Sequence, residues 1–412
     1  MSLIDLTRIF ARIGVVSFGG PAAQIALMQR ELVDERTWLT EDQFLRALSF
    51  CMLLPGPEAM QLATYAGWRL RGVQGGLIAG ALFVLPGAIV IAILAAAYVT
   101  YGALDWVEAA FLGIKAAVLV IVIQALWRLS RRALRGTGDI AVALLAFVAL
   151  FLSVLPYPVL IAAAALWGAW RSAPASHDPA PPAPLGTGLW RTGTIWLSLW
   201  LGPLAAIHLF APGFLADIAR FFSILAVVTF GGAYALLAYM AQVVVGEFGW
   251  VTTPQMLDAL GLAETTPGPL ILVTQFVAFL AGYAQGGYGL ALAAALISLW
   301  MTFVPCFLWI FTAAPWIDWV TTRPRLKGAL AAVTAAVVGV IAYLAVWLGL
   351  HVLFARLSES SAGPFRATWP DLASIDPIVI ALAALAAVVL FGLRLGLIPT
   401  IAIAATAGLA LG

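Results

Sequence analysis

The sequence predicts an all-α polytopic membrane protein with two inverted-topology repeats, whose helices are broken or re-entrant at Gly-Gly-Pro and Pro-Gly-Pro tips. Three observations lead there: the composition, an internal repeat and the distribution of basic residues. Of the 412 residues, 63% are hydrophobic and 10% are charged, whereas soluble domains carry roughly 45–50% and about 25%. A soluble core cannot bury so much apolar surface, so we expect a lipid bilayer around the chain.

The rest of the composition excludes several classes of function. The net charge of +2 and the lack of a basic block with interleaved aromatic residues argue against nucleic-acid binding. His177, His208 and His351 are scattered, so no metal site is predicted. Cys51 and Cys306 lie in apolar segments, which favours packing over a disulfide. No phosphate-binding loop or nucleophile–base set is present, so we predict neither an enzyme nor a cofactor.

An internal repeat is visible at an offset of 212 residues. Residues 15–57 and 227–269 align without a gap, and 19 of the 43 positions are identical, far above chance. The tips coincide, because Pro55-Gly56-Pro57 aligns with Pro267-Gly268-Pro269. Further on the offset grows to 219, where Pro86 matches Pro305. We therefore predict a first repeat at 1–135, connecting spans at 136–213 with a Pro/Ala-rich cytoplasmic linker at 171–190, a second repeat at 214–352, and an external loop with a helical hairpin at 353–412.

Apolar runs long enough to cross about 30 Å of hydrocarbon predict the spans. They lie at 74–100, 106–130, 139–155, 157–170, 192–210, 287–313, 328–350, 375–392 and 395–412. The arms before them, at 3–17, 21–33, 41–54 and 57–70, reach only about 20 Å as helices, too short to cross alone. Glycine and proline separate the arms, so each pair is either one broken span or a re-entrant hairpin.

The basic residues favour hairpins and an inverted arrangement. The segment 30–46 carries three arginines, whereas its counterpart 242–258 carries no Lys or Arg. Cytoplasmic loops are enriched in Lys and Arg, and the cluster Arg128–Arg135 marks one such loop. Three spans then separate the repeats, which inverts the second relative to the first, as in many secondary transporters. We expect a multi-pass protein of the bacterial inner membrane with a cytoplasmic N-terminus.

The tips are the predicted substrate site. A helix start presents free N–H groups and roughly half a positive charge, which attract anions. Helices are expected to begin at Pro21, Pro57, Gly232 and Pro269, and an inverted repeat would bring all four toward the membrane midplane. Simple kinks for helix packing are the alternative. The predicted substrate-binding residues are Gly19, Gly20, Pro21, Gln24, Pro55, Gly56, Pro57, Glu58, Gln61, Lys115, Gly231, Gly232, Glu264, Thr265, Thr266, Pro267, Gly268 and Pro269.

For each polar or charged residue of this set, two roles are possible. Gln24, Gln61 and the two threonines either donate to an oxyanion or satisfy a neighbouring carbonyl. Glu58 either caps its helix as a carboxylate or acts as a proton-linked gate. Lys115 either pairs with Glu58 or another acid, or attracts the anion, since charge at membrane depth is usually functional.

Glu264 has no matching acid in the first repeat, where Met52 stands. It directly precedes Thr265-Thr266-Pro267, which places it beside a predicted break.

The motifs resemble the chromate ion transporter family in its long, two-domain form, over most of the chain. They are Phe18-Gly19-Gly20-Pro21-Ala22, Leu54-Pro55-Gly56-Pro57-Glu58-Ala59-Met60-Gln61, Thr229-Phe230-Gly231-Gly232 and Gly261-Leu262-Ala263-Glu264-Thr265-Thr266-Pro267-Gly268-Pro269. The resemblance implies chromate efflux that gives resistance, with sulfate as a structural look-alike. Gln24 stands where many members carry histidine, which weakens a proton role there.

Three functions are compatible with the sequence. The first is chromate export, driven by the membrane potential or a proton gradient. The chain would otherwise import or exchange sulfate or a related oxyanion, or form an anion channel. The sequence leaves the oligomeric state open, with a homodimer as one option.

Overall fold

The computed structural model describes residues 2–172, 187–230, 232–317, 323–362 and 365–411. Helices make up almost all of it. The first part contains α1 Leu3–Val16, α2 Gly20–Gln29, α3 Glu41–Cys51, α4 Glu58–Tyr101, α5 Asp105–Ala133, α6 Thr137–Phe151, α7 Tyr157–Arg171 and α8 Thr187–Phe210. The second part contains α9 Phe214–Val228, α10 Ala233–Ala241, α11 Thr253–Thr265, α12 Val273–Ala313, α13 Pro324–Leu353, α14 Pro377–Ala387 and α15 Leu397–Leu411.

Five helical segments of the described chain are long and apolar enough to span a membrane. They are Glu58–Tyr101, Asp105–Ala133, Gly188–Phe210, Leu270–Trp316 and Pro324–Leu353. Their outer faces are apolar: on α4, Leu85, Ile89 and Ile93 recur every fourth residue and are 51%, 60% and 63% exposed. A helix that exposes such a stripe is suited to lipid rather than to water. The predicted class, an all-α polytopic membrane protein, is confirmed.

The two longest helices each contain a sharp break whose second residue is a glycine with positive φ. In α4 the break lies at Arg71 and Gly72, with φ/ψ of −144°/26° and 62°/−155°. In α12 it lies at Gly286 and Gly287, with −168°/26° and 72°/−162°. The segments on either side pack against each other, since a Cβ on Gly67 would come within 2.2 Å of the Gly75 carbonyl oxygen. Each long helix is therefore a short arm that folds back on a long span, as the boundary predicted between 70 and 74 requires.

Several repeated residues have a local structural reason. Thr40 and Gln43 form a capping box at the start of α3: the Gln43 N–H donates to Thr40 Oγ1 and the Thr40 N–H to Gln43 Oε1, both at 3.2 Å. Thr252 and Gln255 make the same two bonds at the start of α11, at 3.3 and 2.9 Å. A capping box satisfies helix N–H groups that have no partner in the helix, so these identities specify where both helices begin.

The chain divides into two compact units. The first comprises Met1–Ala96, Pro174–Ala233 and Thr266–Leu326, and the second comprises Ala97–Ala173, Tyr234–Thr265 and Lys327–Gly412. The division cuts across the sequence repeat. The first unit contains all of the predicted tips, and the second contains α5, α11 and α13.

In the second unit, each repeat exchanges a helical hairpin with the other. Helix α7 packs on α13, where a Cβ on Gly168 would lie 2.2 Å from the Gly328 carbonyl oxygen. Helix α15 packs on α5 in the same way, since a Cβ on Gly408 would lie 2.4 Å from the Ala109 carbonyl oxygen. Small residues allow membrane helices to approach this closely. The contacts correspond, because Gly328 follows Ala109 by 219 positions.

A small β-hairpin lies in the loop that precedes the C-terminal helical hairpin. Strands β1 Leu357–Ala362 and β2 Phe365–Pro370 pair antiparallel, with Leu357 opposite Pro370. An ion pair of 3.0 Å between Arg356 and Asp371 closes its base. Most of the linker predicted at 171–190 lies outside the described residues.

Candidate functional site

The four predicted breaks all lie in the first unit and depend on glycines with positive φ. Gly19 precedes α2 and Gly20 is its first residue, with φ of 85° and 77°, and Gly232 precedes α10 with 102°. Gly56 and Gly268, in the two Pro-Gly-Pro tips, have 114° and 86°. Only glycine adopts this region without strain. No side chain caps the first turn of α2.

Two backbone hydrogen bonds connect the Pro-Gly-Pro tip of each repeat to the residue that precedes the Phe-Gly-Gly break of the other repeat. The Gly56 N–H donates to the Thr229 carbonyl, and the Gly268 N–H donates to the Ser17 carbonyl, both at 2.8 Å. The donors and the acceptors are each separated by 212 positions, which is the offset of the sequence repeat. The pair of bonds is therefore two-fold related, and it brings the two tips and the two breaks together.

The long helices also pass against the tip of the other repeat. A Cβ on Gly87 of α4 would lie 2.2 Å from the Pro267 carbonyl oxygen. At the equivalent position of α12, the Cys306 thiol lies 2.9 Å from where a Cβ on Gly56 would be. Cys51 and Cys306 are both buried free thiols, as the sequence predicts.

Three buried glutamines of the first unit donate to backbone carbonyls. Nε2 of Gln24 donates to the Gly268 oxygen at 2.7 Å, and Nε2 of Gln61 donates to the Pro55 oxygen at 2.6 Å. Nε2 of Gln275 donates to the Ala88 oxygen at 3.0 Å. Of the two sequence interpretations, the structure contains the carbonyl contact. An amide group carries two N–H protons, so each of these bonds leaves a second proton on the same nitrogen.

Glu58 is the first residue of α4 and lies beside Gly232, the glycine that precedes α10. Its Oε1 atom lies 3.8 Å from where a Cβ on Gly232 would be. An acid in the first turn of a helix is favoured by the helix dipole. Thr266 is buried in the same unit, while Gly231 lies outside the described residues.

Lys115 lies in the second unit and forms an ion pair that the sequence did not identify. Its Nζ is 2.9 Å from Oδ1 of Asp258, and the Tyr98 phenol donates to Oδ2 at 2.6 Å. The interpretation that Lys115 pairs with an acid is thus present, with Asp258 as that acid. Asp258 carried no signal in the sequence, because its repeat counterpart is Arg46.

Glu264 and Thr265 also belong to the second unit. Oε1 of Glu264 accepts a hydrogen bond from the Tyr234 phenol at 2.8 Å. Thr265 donates to the Leu262 oxygen at 2.9 Å, within its own helix.

Two buried hydroxyl groups of the first unit were missed by sequence reasoning. Ser17 and Thr302 are each 1% exposed, and neither Oγ has a hydrogen-bond partner in the described part of the chain. The available signal was the position of Ser17, directly before Phe18-Gly19-Gly20. In the same described residues, no three His, Cys, Asp or Glu side chains come together as metal ligands.

Comparison with known families decides the identity. The profile described as chromate transporter matches residues 4–169 and 216–409. This chain belongs to the chromate transporter family. The second match begins 212 residues after the first, at the offset of the repeat, and both matches extend over the hairpins that the transporter exchanges between its repeats.

Relatives of similar length support the assignment. The transporter is 30% identical over 401 residues to a probable chromate transport protein of Synechococcus elongatus, covering 94% of this chain and 95% of the relative. It is 30% identical to the chromate transport protein of Cupriavidus metallidurans (82% and 81% covered) and 31% identical to that of Pseudomonas aeruginosa (83% and 80%). No solved structure gives a significant match.

Gly56→Ala is expected to damage the transporter more than Gly72→Ala. Both glycines have positive φ, which costs an alanine on the order of 1–3 kcal/mol, but a Cβ on Gly56 would also meet Cys306 and Gln61 at 2.9 Å, whereas one on Gly72 meets nothing within 4 Å. The overpacking adds about 1–3 kcal/mol. Melting temperatures in detergent and transport rates would measure the difference. Equal losses in the two variants would show that contact at the tip is unimportant.

Lys115→Met is expected to lower the stability of the transporter, and Lys115→Met with Asp258→Asn is expected to recover most of it. The single change leaves a buried carboxylate without its cation, which costs about 3–5 kcal/mol, and the second change removes that charge. Thermal melting of the purified proteins is the readout. A double variant as unstable as the single one would mean that the ion pair is not what Lys115 contributes.

Proposed function

We propose that the chain is a secondary transporter that exports chromate from the cytoplasm across the inner membrane, with the oxyanion bound at the paired tips of the first unit. The observation that carries this proposal is the pair of 2.8 Å bonds from Gly56 to Thr229 and from Gly268 to Ser17. These bonds gather four helix breaks in one place. Three relatives named as chromate transport proteins, one of them as a probable one, supply the substrate.

The chemistry of the tips suits a tetrahedral oxyanion. Helix starts attract negative charge through backbone N–H groups, without a basic side chain. The second amide proton of Gln24 and the hydroxyl of Ser17 are further donors beside the tips. No Lys or Arg is needed for this, and a site without fixed positive charge releases a dianion more easily than one that contains it.

The membrane potential favours export. Moving one charge through 100 mV changes the free energy by about 2.3 kcal/mol, so an inside-negative potential drives a dianion outward with about 4.6 kcal/mol per 100 mV. Export is then uniport along the field or exchange with an incoming proton. Glu58, beside Gly232, is the proposed gate of the tip region or the cap of α4.

Chromate uptake into everted membrane vesicles tests the function. The cytoplasmic face of these vesicles points outward, so export appears as uptake, and a lumen-positive potential should accelerate saturable uptake several-fold over vesicles without the protein. Labelled sulfate in parallel separates the oxyanion importer or exchanger, and a rate that does not saturate indicates a channel. Uptake of sulfate with no uptake of chromate would refute chromate export.

We also propose that the two repeats are inverted, with the N-terminus cytoplasmic. This proposal is supported by the basic residues of 30–46 and by the two-fold relation of the tip contacts. Single cysteines at Thr37 and Thr253 should react differently with a membrane-impermeant maleimide: Thr253→Cys in intact cells, and Thr37→Cys only after permeabilisation. Labelling of both from the same side would show that the repeats are parallel.

A further inference from the structure

Glu264 is a buried carboxyl group without a counter-charge. It lies near the end of α11 with 3% of its surface exposed. Its Oε1 has the Tyr234 phenol, while its buried Oε2 has no hydrogen-bond partner among the described residues. No described lysine or arginine forms an ion pair with it. Tyr234 on α10 is its hydrogen-bond partner, and the charge of Arg128 on α5 acts on the Tyr234 phenol.

Asp258, six residues earlier on the same helix, shows the contrast. Both of its oxygens have partners, and one of them is the Lys115 ammonium group. An ionised carboxylate buried without a partner costs several kcal/mol, so such a group takes up a proton instead. The negative end of the α11 dipole adds to this preference. Oε2 of Glu264 is therefore the atom at which this carboxyl group would take up a proton.

The pair is absent from the other repeat. The counterparts of Glu264 and Tyr234 are Met52 and Ala22, although α3 begins with the same capping box as α11. The fold of the hairpin therefore does not require the carboxyl–phenol pair. A buried ionisable group that the fold does not require points to a role in transport.

We propose that Glu264 is the proton-binding residue of the transport cycle and that Tyr234 is its positioning residue. This proposal rests on the proposed function and deepens it, because it selects exchange with an incoming proton. In the protonated state Oε2 carries the proton, and the Tyr234 O–H donates to Oε1. When the proton leaves to water on the cytoplasmic side, the carboxylate retains the Tyr234 donor and the phenol keeps its own proton. One proton enters for each such cycle.

Purified protein in liposomes tests the proposal, with the potential clamped by potassium and valinomycin and the pH gradient varied independently. Chromate is added on one side only, so that export is measured for the molecules whose cytoplasmic face points to that side. Wild type should move chromate under the potential alone and several-fold faster when the receiving side is also acidic. Glu264→Gln keeps the size of the side chain but binds no proton. It should retain the potential-driven flux and lose the response to the gradient, while Glu247→Gln, the same change at an exposed carboxyl group, should respond as wild type does.

Tyr234→Phe adds a readout that a purely structural role would not move. It removes the donor that stabilises the carboxylate, so the pH at which flux is half-maximal should shift toward alkaline values while the gradient response persists. If Glu264→Gln does not fold, Tyr234→Phe and Glu264→Asp decide: a shifted pH profile supports the proposal, and an unchanged profile overturns it.

The outcomes separate the two proposals. The proton role of Glu264 is overturned if chromate flux through Glu264→Gln still depends on the pH gradient. It is also overturned if wild-type flux does not depend on that gradient. In both cases, chromate flux driven by the potential would still support chromate transport. Wild-type protein that moves no chromate under the potential is a failure of the proposed function itself.

Discussion

The structure depends on how buried backbone groups at four helix breaks find partners. A break inside a membrane protein frees N–H and C=O groups, and lipid supplies no water to satisfy them. Here the N–H of Gly56 and that of Gly268 each bind a carbonyl, of Thr229 and Ser17, that the opposite break has freed. Each interruption is thus stabilised by the other repeat. A single repeat would leave these groups without these partners, so the reciprocal arrangement is what satisfies the buried irregular backbone.

The two repeats also contact each other at glycines, where the absence of a side chain lets a helix of one repeat approach the backbone of the other. At the tips, Gly87 allows α4 to approach the Pro267 carbonyl. In the second unit, Gly168 and Gly408 allow the hairpin of each repeat to lie on the long helix of the other. Lipid offers little hydrophobic driving force for helix association, so contact area and backbone proximity have to provide it. Glycine at these contact points is what allows the helices to approach so closely.

The chemistry, in contrast, is asymmetric. The capping boxes, breaks and tips occur twice, but the ion pair of Lys115 with Asp258 and the Glu264–Tyr234 pair occur once. Arg46 stands where the second repeat has Asp258, and Thr334 stands where the first has Lys115. A duplicated scaffold leaves the ionisable residues free to differ, and a transporter that moves its substrate in one direction can use that difference.

The sequence by itself determined the membrane class, the repeat and the breaks, because apolar length, internal identity and the conformations of glycine and proline are local properties. It also restricted Gln24, Gln61 and Lys115 to two roles each. Only the tertiary structure identified their protein partners, because two of these lie far away along the chain: Gly268 for Gln24, and Asp258 for Lys115. Neither local pattern nor the repeat predicts such contacts, since Arg46 at the Asp258 position carries the opposite charge. The exchange of hairpins was hidden for the same reason, as it arises from backbone approach at glycines more than 150 residues apart.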